Sequence, residues 1–134
     1  MVAYFERLGL TTSSIQRAVQ FSEGTTSNRY NVGTSTSNTL NASSTGGVAL
    51  SYAPGITSGM VYKTAVAFKA NDNALAVNGS LVAMDTASSQ VSGINVLGIG
   101  FDGFGSNNSL FGFIRKMAYY PARLSNAQLQ SLTS

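Results

Sequence analysis

Apolar and polar residues alternate at period two through Gln16-Arg17-Ala18-Val19-Gln20-Phe21-Ser22, a spacing that turns one face of an extended segment inward. The same strand character opens the chain at Ala3-Tyr4-Phe5-Glu6-Arg7-Leu8, as if a domain began with no leader, and it returns at Arg29-Tyr30-Asn31-Val32 after the polar Thr25 to Asn28 turn. Thr34 to Thr45 holds only Leu40 and Ala42 as apolar residues. It reads as a disordered linker or as an exposed antiparallel strand, and its threonines with the isolated Leu40 favour the strand. Val48 to Tyr52 is a further short strand between Gly46-Gly47 and Pro54-Gly55.

The central block carries the plainest pattern. Met60 to Lys69 predicts a long strand, Asn71-Asp72-Asn73 a turn, and Ala74 to Val77 its antiparallel partner. Asn78-Gly79 then leads into Ser80 to Asp85, and because both turn residues tolerate positive φ this dipeptide is the strongest short hairpin signal. Three strands follow as a meander. Val96 to Phe101 predicts a buried strand whose glycines mark a bulge or a close backbone approach. Asp102 to Asn108 is a loop, and Leu110 to Tyr119 a last strand on which Arg115 and Lys116 should point to opposite faces. Beyond Pro121, Ser125-Asn126-Ala127-Gln128 has capping-box spacing. A short helix should follow, with Leu124, Leu129 and Leu132 laid over an open edge or end of the sheets.

Composition strengthens this all-β picture. Gly, Ser, Thr and Asn make up 56 of the 134 residues, which suits short strands and tight turns. The length fits one domain with a two-layer core. Cysteine is absent, which removes disulfides, thiolate metal sites and thiol nucleophiles. The net charge of +3 comes from cations scattered between Arg7 and Arg123, whereas nucleic-acid grooves need them clustered. No apolar run approaches the roughly 20 residues of a membrane helix. Neither nucleic acid nor membrane insertion is expected.

The stretches Tyr62 to Phe68 with Asn71-Asp72, Ala76-Val77-Asn78-Gly79, Leu97-Gly98-Ile99-Gly100, and Leu110 to Ser125 with Leu129 together resemble the concanavalin A-like, laminin-G-like modules of phage tail and virion proteins, over about residues 15 to 133. The resemblance implies a two-sheet antiparallel jelly-roll sandwich with a short C-terminal helix, with residues 1–134 forming a single domain of a larger virion protein or assembly. Carbohydrate recognition is the role it suggests. It brings no catalytic residues with it, and the loops that bind are the part that varies.

The chemistry available agrees with a binding role. Glycoside hydrolysis needs two carboxylates about 5 to 9.5 Å apart, and Glu6 and Glu23 are the only glutamates and lie on different elements. Histidine is absent, which removes the commonest general base. The chain is therefore not expected to be an enzyme. No organic cofactor is called for. Calcium takes loop oxygens, and Asp102, Asn107 and Asn108 or Asn71-Asp72-Asn73 could supply some, but Asn and Asp also serve turns on their own account. The metal is left unassigned.

Sugar sites pair an aromatic face with planar polar groups. Arg29, Tyr52, Asp102, Phe104, Asn107 and Asn108 are the candidates, with the Asp102 to Asn108 loop foremost because it is long, polar and aromatic-bearing. Tyr30 beside Arg29 offers a further aromatic face, and the competing reading is that Tyr30 and Tyr52 fill the core, Arg29 covers apolar surface with its stem, and Phe104 plugs the sandwich end. The function expected is a non-catalytic module of a phage tail fibre or virion surface that adheres to a host surface polysaccharide. The alternative is an assembly module. Either role implies partner virion subunits and a homo-oligomer, with a trimer favoured.

Overall fold

The computed structural model describes residues 2–9, 14–45, 47, 49–103 and 108–134. Ten strands and one helix follow in order: β1 (Val2–Gly9), β2 (Gln16–Ser22), β3 (Arg29–Thr34), β4 (Leu40–Ser44), β5 (Leu50–Tyr52), β6 (Val61–Ala67), β7 (Asn73–Val77), β8 (Ser80–Asp85), β9 (Val96–Ile99), β10 (Gly112–Tyr120) and α1 (Asn126–Thr133). They form two five-stranded antiparallel sheets, ordered β10-β1-β6-β7-β8 and β5-β4-β3-β2-β9. The architecture is the expected all-β sandwich with a C-terminal helix.

Period-two alternation builds the core. Val32 and Tyr30 of β3, Leu40 and Ala42 of β4, and Val19 of β2 meet Tyr62 and Val66 of β6 and Leu75 and Val77 of β7 in one buried cluster. Tyr30 and Phe68 bridge the layers with ring centroids 4.5 Å apart. The Asn78-Gly79 turn forms with φ of 47° and 81°, as the sequence predicts.

Three expectations change. β4 is an inner strand between β3 and β5 rather than an exposed one, because Leu40 and Ala42 enter the core while Asn41 and Ser43 face away. β9 is an edge strand with Leu97 and Ile99 exposed rather than a buried one, although its glycine does mark a close approach: a Cβ on Gly98 would lie 2.6 Å from the Phe101 carbonyl oxygen. In β10, Glu6 pairs with Lys116 and Arg7 with Ile114, so Arg115 is the extra residue of a bulge. Simple alternation therefore does not govern the Arg115-Lys116 pair.

α1 also lands differently. It lies on the outer face of the first sheet, where Ala65, Ala67, Ala74 and Ala76 leave a shallow surface against which Leu129 is completely buried. Small residues let the helix approach, so a face and not an edge is covered. Ser125 closes the helix start, accepting from the Gln128 amide at 3.3 Å while its own amide donates to Gln128 Oε1 at 2.8 Å. Ser125→Ala is expected to cost about 1 kcal/mol, read as a melting temperature a few degrees lower.

Candidate functional site

The outward residues of β2, β3 and β4 are polar, and strand register collects them. Arg17 stands across from Gly33, which stands across from Asn41, and Asn31 faces Ser43 in the neighbouring row. Gly33 adds no side chain to its row. The result is a groove of about 240 Å³ whose walls include Arg17, Arg29, Asn31, Asn41, Ser43 and Thr36.

Two cations share this groove. Arg17 is partly buried, and burial first, then the positive charge of Arg29, lower its pKa from the ordinary arginine value, while Asp102 partly offsets them. Its Nε is shielded from solvent and has no hydrogen-bond partner, and the same holds for Asn41 Oδ1. Neither Arg17 nor Arg29 forms an ion pair among the described residues. Ser43 Oγ donates to Asn31 Oδ1 at 3.1 Å, which turns the Asn31 amide nitrogen to other acceptors. A partly buried guanidinium beside a second one, with amide and hydroxyl groups around them, has the chemistry to hold an anion and to hydrogen-bond hydroxyls.

Asp102, Asn108 and Phe111 brace Arg17 from the side. Gln16 and Gln20 are fully buried. Gln16 Oε1 accepts the Phe111 amide at 3.0 Å, and Gln20 Nε2 donates to the Asp102 carbonyl. The Arg17 amide itself donates to the Asn108 carbonyl at 2.9 Å. These bonds hold the Asp102 carboxylate, which accepts from Asn108 Nδ2 at 3.2 Å, behind the arginine.

The sequence candidates thus divide. Arg29 lines the groove. Asp102 is buried and Asn108 bonds to it, so both support the groove instead of lining it. Tyr52 belongs to the inner face of its sheet, packed on the core with its ring 6.2 Å from that of Tyr62, which places it outside the groove. Phe104 and Asn107 lie outside the described residues. Arg17, Asn31, Asn41 and Ser43 line the groove beside Arg29 without standing out individually in the sequence. The signal that could have found them is polar residues at period two on three consecutive strands.

The side chains of Asp72 and Asn73 in the Asn71-Asp72-Asn73 turn have partners within the protein. Asp72 pairs with Arg123 at 2.8 Å, and Asn73 accepts from the Lys69 amide and donates to Ser88 Oγ. Glu23 accepts from Asn28 Nδ2 and Thr25 Oγ1, and these bonds, Asn28 first, hold its pKa below the ordinary carboxylate value. A general acid needs the opposite shift.

No family model and no curated protein sequence matches the chain. Solved structures do. The CBM40 carbohydrate-binding module of the Ruminococcus gnavus IT-sialidase, bound to α2,3 sialyllactose, superposes with a TM-score of 0.81 at 16% identity, over 98% of this chain and 80% of that one. A native heptameric SAP-like pentraxin from Limulus polyphemus gives 0.76 at 16% identity, over 99% and 69%. A leech intramolecular trans-sialidase in complex with 2,7-anhydro-Neu5Ac gives 0.81 at 14%, over 98% of this chain but 23% of that one. At such identities the likeness establishes the jelly-roll fold.

Proposed function

We propose that this chain is a non-catalytic carbohydrate-binding module that holds an acidic sugar in the groove between Arg17 and Arg29. The observation that carries the reading is the pair of guanidiniums, one partly buried, set on an outer sheet face among Asn31, Asn41 and Ser43. A carboxylate would relieve their mutual repulsion and take their hydrogen bonds, while the amides and hydroxyls would bind ring hydroxyls. Fold neighbours described as bound to sialyllactose support the choice of sugar class.

In the wider setting, the module acts in host adhesion on a phage tail fibre or virion surface. Several copies in an oligomer would turn weak single sites into firm attachment to a host polysaccharide. Titration of the chain with sialyllactose and with lactose, followed by backbone amide shifts, tests the site. Sialyllactose is expected to move the amides of β2, β3 and β4, and lactose to leave them in place. If no carboxylated glycan moves them, even with the protein displayed as a multimer, the reading fails.

A second reading, assembly, draws on Phe101, Phe111 and Phe113, which are exposed, the last at 72%. Light scattering checks it: a stable trimer would place these rings at a subunit interface.

A further inference from the structure

The sandwich closes on one side, where β5 and β8 lie against each other. On the opposite side the edge strands β9 and β10 flank a cleft of about 560 Å³, lined by Phe21, Tyr30, Phe68, Leu97, Met117 and Tyr119 among others. This volume falls within the roughly 300 to 1,000 Å³ of small-molecule sites. Phe21 and Tyr119, from different sheets, meet with centroids 5.8 Å apart, and Tyr30 and Phe68 form a second aromatic pair.

No charged side chain lines the cleft among the described residues, which selects against an ionic ligand. Its buried polar handle is the Tyr30 hydroxyl. That oxygen accepts the Val91 amide at 2.8 Å, leaving the phenol proton to donate. Burial raises the Tyr30 pKa above its ordinary value, against a smaller lowering by the Val91 bond, so the proton stays in place at neutral pH. The cleft opens between the layers, whereas the arginine groove lies on the outer face of β2–β4. The two are different sites with opposite chemistry.

We infer that this cleft binds an uncharged aromatic small molecule carrying a hydrogen-bond acceptor, its rings against Phe21 and Tyr119 and its acceptor toward the Tyr30 hydroxyl. The sugar groove takes no part in it.

Prodan, an uncharged naphthyl ketone whose emission moves to the blue in apolar surroundings, is a suitable probe for the whole chain. A saturable blue shift is expected. Leu97 is exposed at the cleft, so Leu97→Glu should leave the melting curve unchanged and weaken prodan at least about tenfold. Met117→Trp should fill the space and also displace it. Tyr30→Phe removes the hydroxyl from the ketone and also from the Val91 amide, so prodan should weaken at least roughly fivefold and naphthalene by clearly less. Absence of a saturable shift overturns the inference, as does a shift that survives both Leu97→Glu and Met117→Trp. So does exclusion of the dye by self-association as protein concentration rises, which would make a second copy the occupant.

Discussion

Arg29→Ala is expected to weaken binding of a carboxylated sugar by about ten- to a hundredfold while changing the melting temperature by no more than a few degrees. The factor follows from the roughly 1.5 to 3 kcal/mol of a hydrogen bond to a charged group. The small effect on stability follows from placement: Arg29 is half-buried on the outer face of β3, has no ion pair among the described residues, and repels Arg17. Losing it leaves no orphaned partner and removes a repulsion. Arg17→Lys is the companion variant, since a lysine keeps the charge but loses the planar fork, and it too should weaken the acid sugar. Binding of a neutral sugar should be little changed by either. Isothermal titration with sialyllactose reads the affinities, and an Arg29→Ala variant that binds as tightly as the parent would remove the groove from consideration.

The pH dependence follows from the same groups. Arg17 is lowered in the folded chain by burial and by Arg29, so folding disfavours its charged form, a cost present wherever the guanidinium is protonated in both states and relieved only as pH rises through its folded pKa. The ordinary arginine value lies far above neutral pH, and the guanidinium is the charged partner an acidic sugar needs. Affinity for an acidic sugar should be flat through neutral pH. It should fall only in acid, where the sugar's own carboxylate takes a proton.

Local signals in this chain were legible and relational ones were not. Asn78-Gly79 and the Ser125 to Gln128 box announce themselves because their energetics close within four residues. The central meander likewise needs no partner to be read, whereas the alternation of β2 breaks at Ala18 and Val19, both of which are buried in the core. The groove is different: Arg17, Asn31 and Asn41 become neighbours only through the pairing of three strands, and the extra residue Ala18 in β2 shifts that pairing midway. An aromatic ring beside a turn marks Tyr52 as a sugar platform in the sequence, but that ring packs against the core. Asp102 reads as a loop ligand, yet burial and the Gln20 side chain bind its segment to β2. Arg29 could be proposed from sequence, but nothing in the sequence says what stands beside it.

Gly33→Ala should produce the largest loss of stability, about 3 kcal/mol, the upper part of the range for forcing extra atoms into a packed site. A Cβ there would lie 1.9 Å from the Gln16 carbonyl oxygen, 2.9 Å from its carbon and 3.1 Å from Arg17 Cα. All three are backbone atoms, so no rotamer change clears the space and β2 must move. For a chain of this length the melting temperature should drop by about 10 °C, against no more than about 0.5 kcal/mol for Ser51→Ala on the exposed face of β5. The displaced segment includes Arg17 and Gln16, and Gln16 anchors the Phe111 amide, so acidic-sugar binding should weaken in the variant even at temperatures where it remains folded. Thermal denaturation and titration on the same sample separate the two effects. An unchanged melting temperature would mean that β2 and β3 do not approach this closely at the bulge, and a destabilised variant with full affinity would mean that Arg17 does not depend on that approach for its position in the groove.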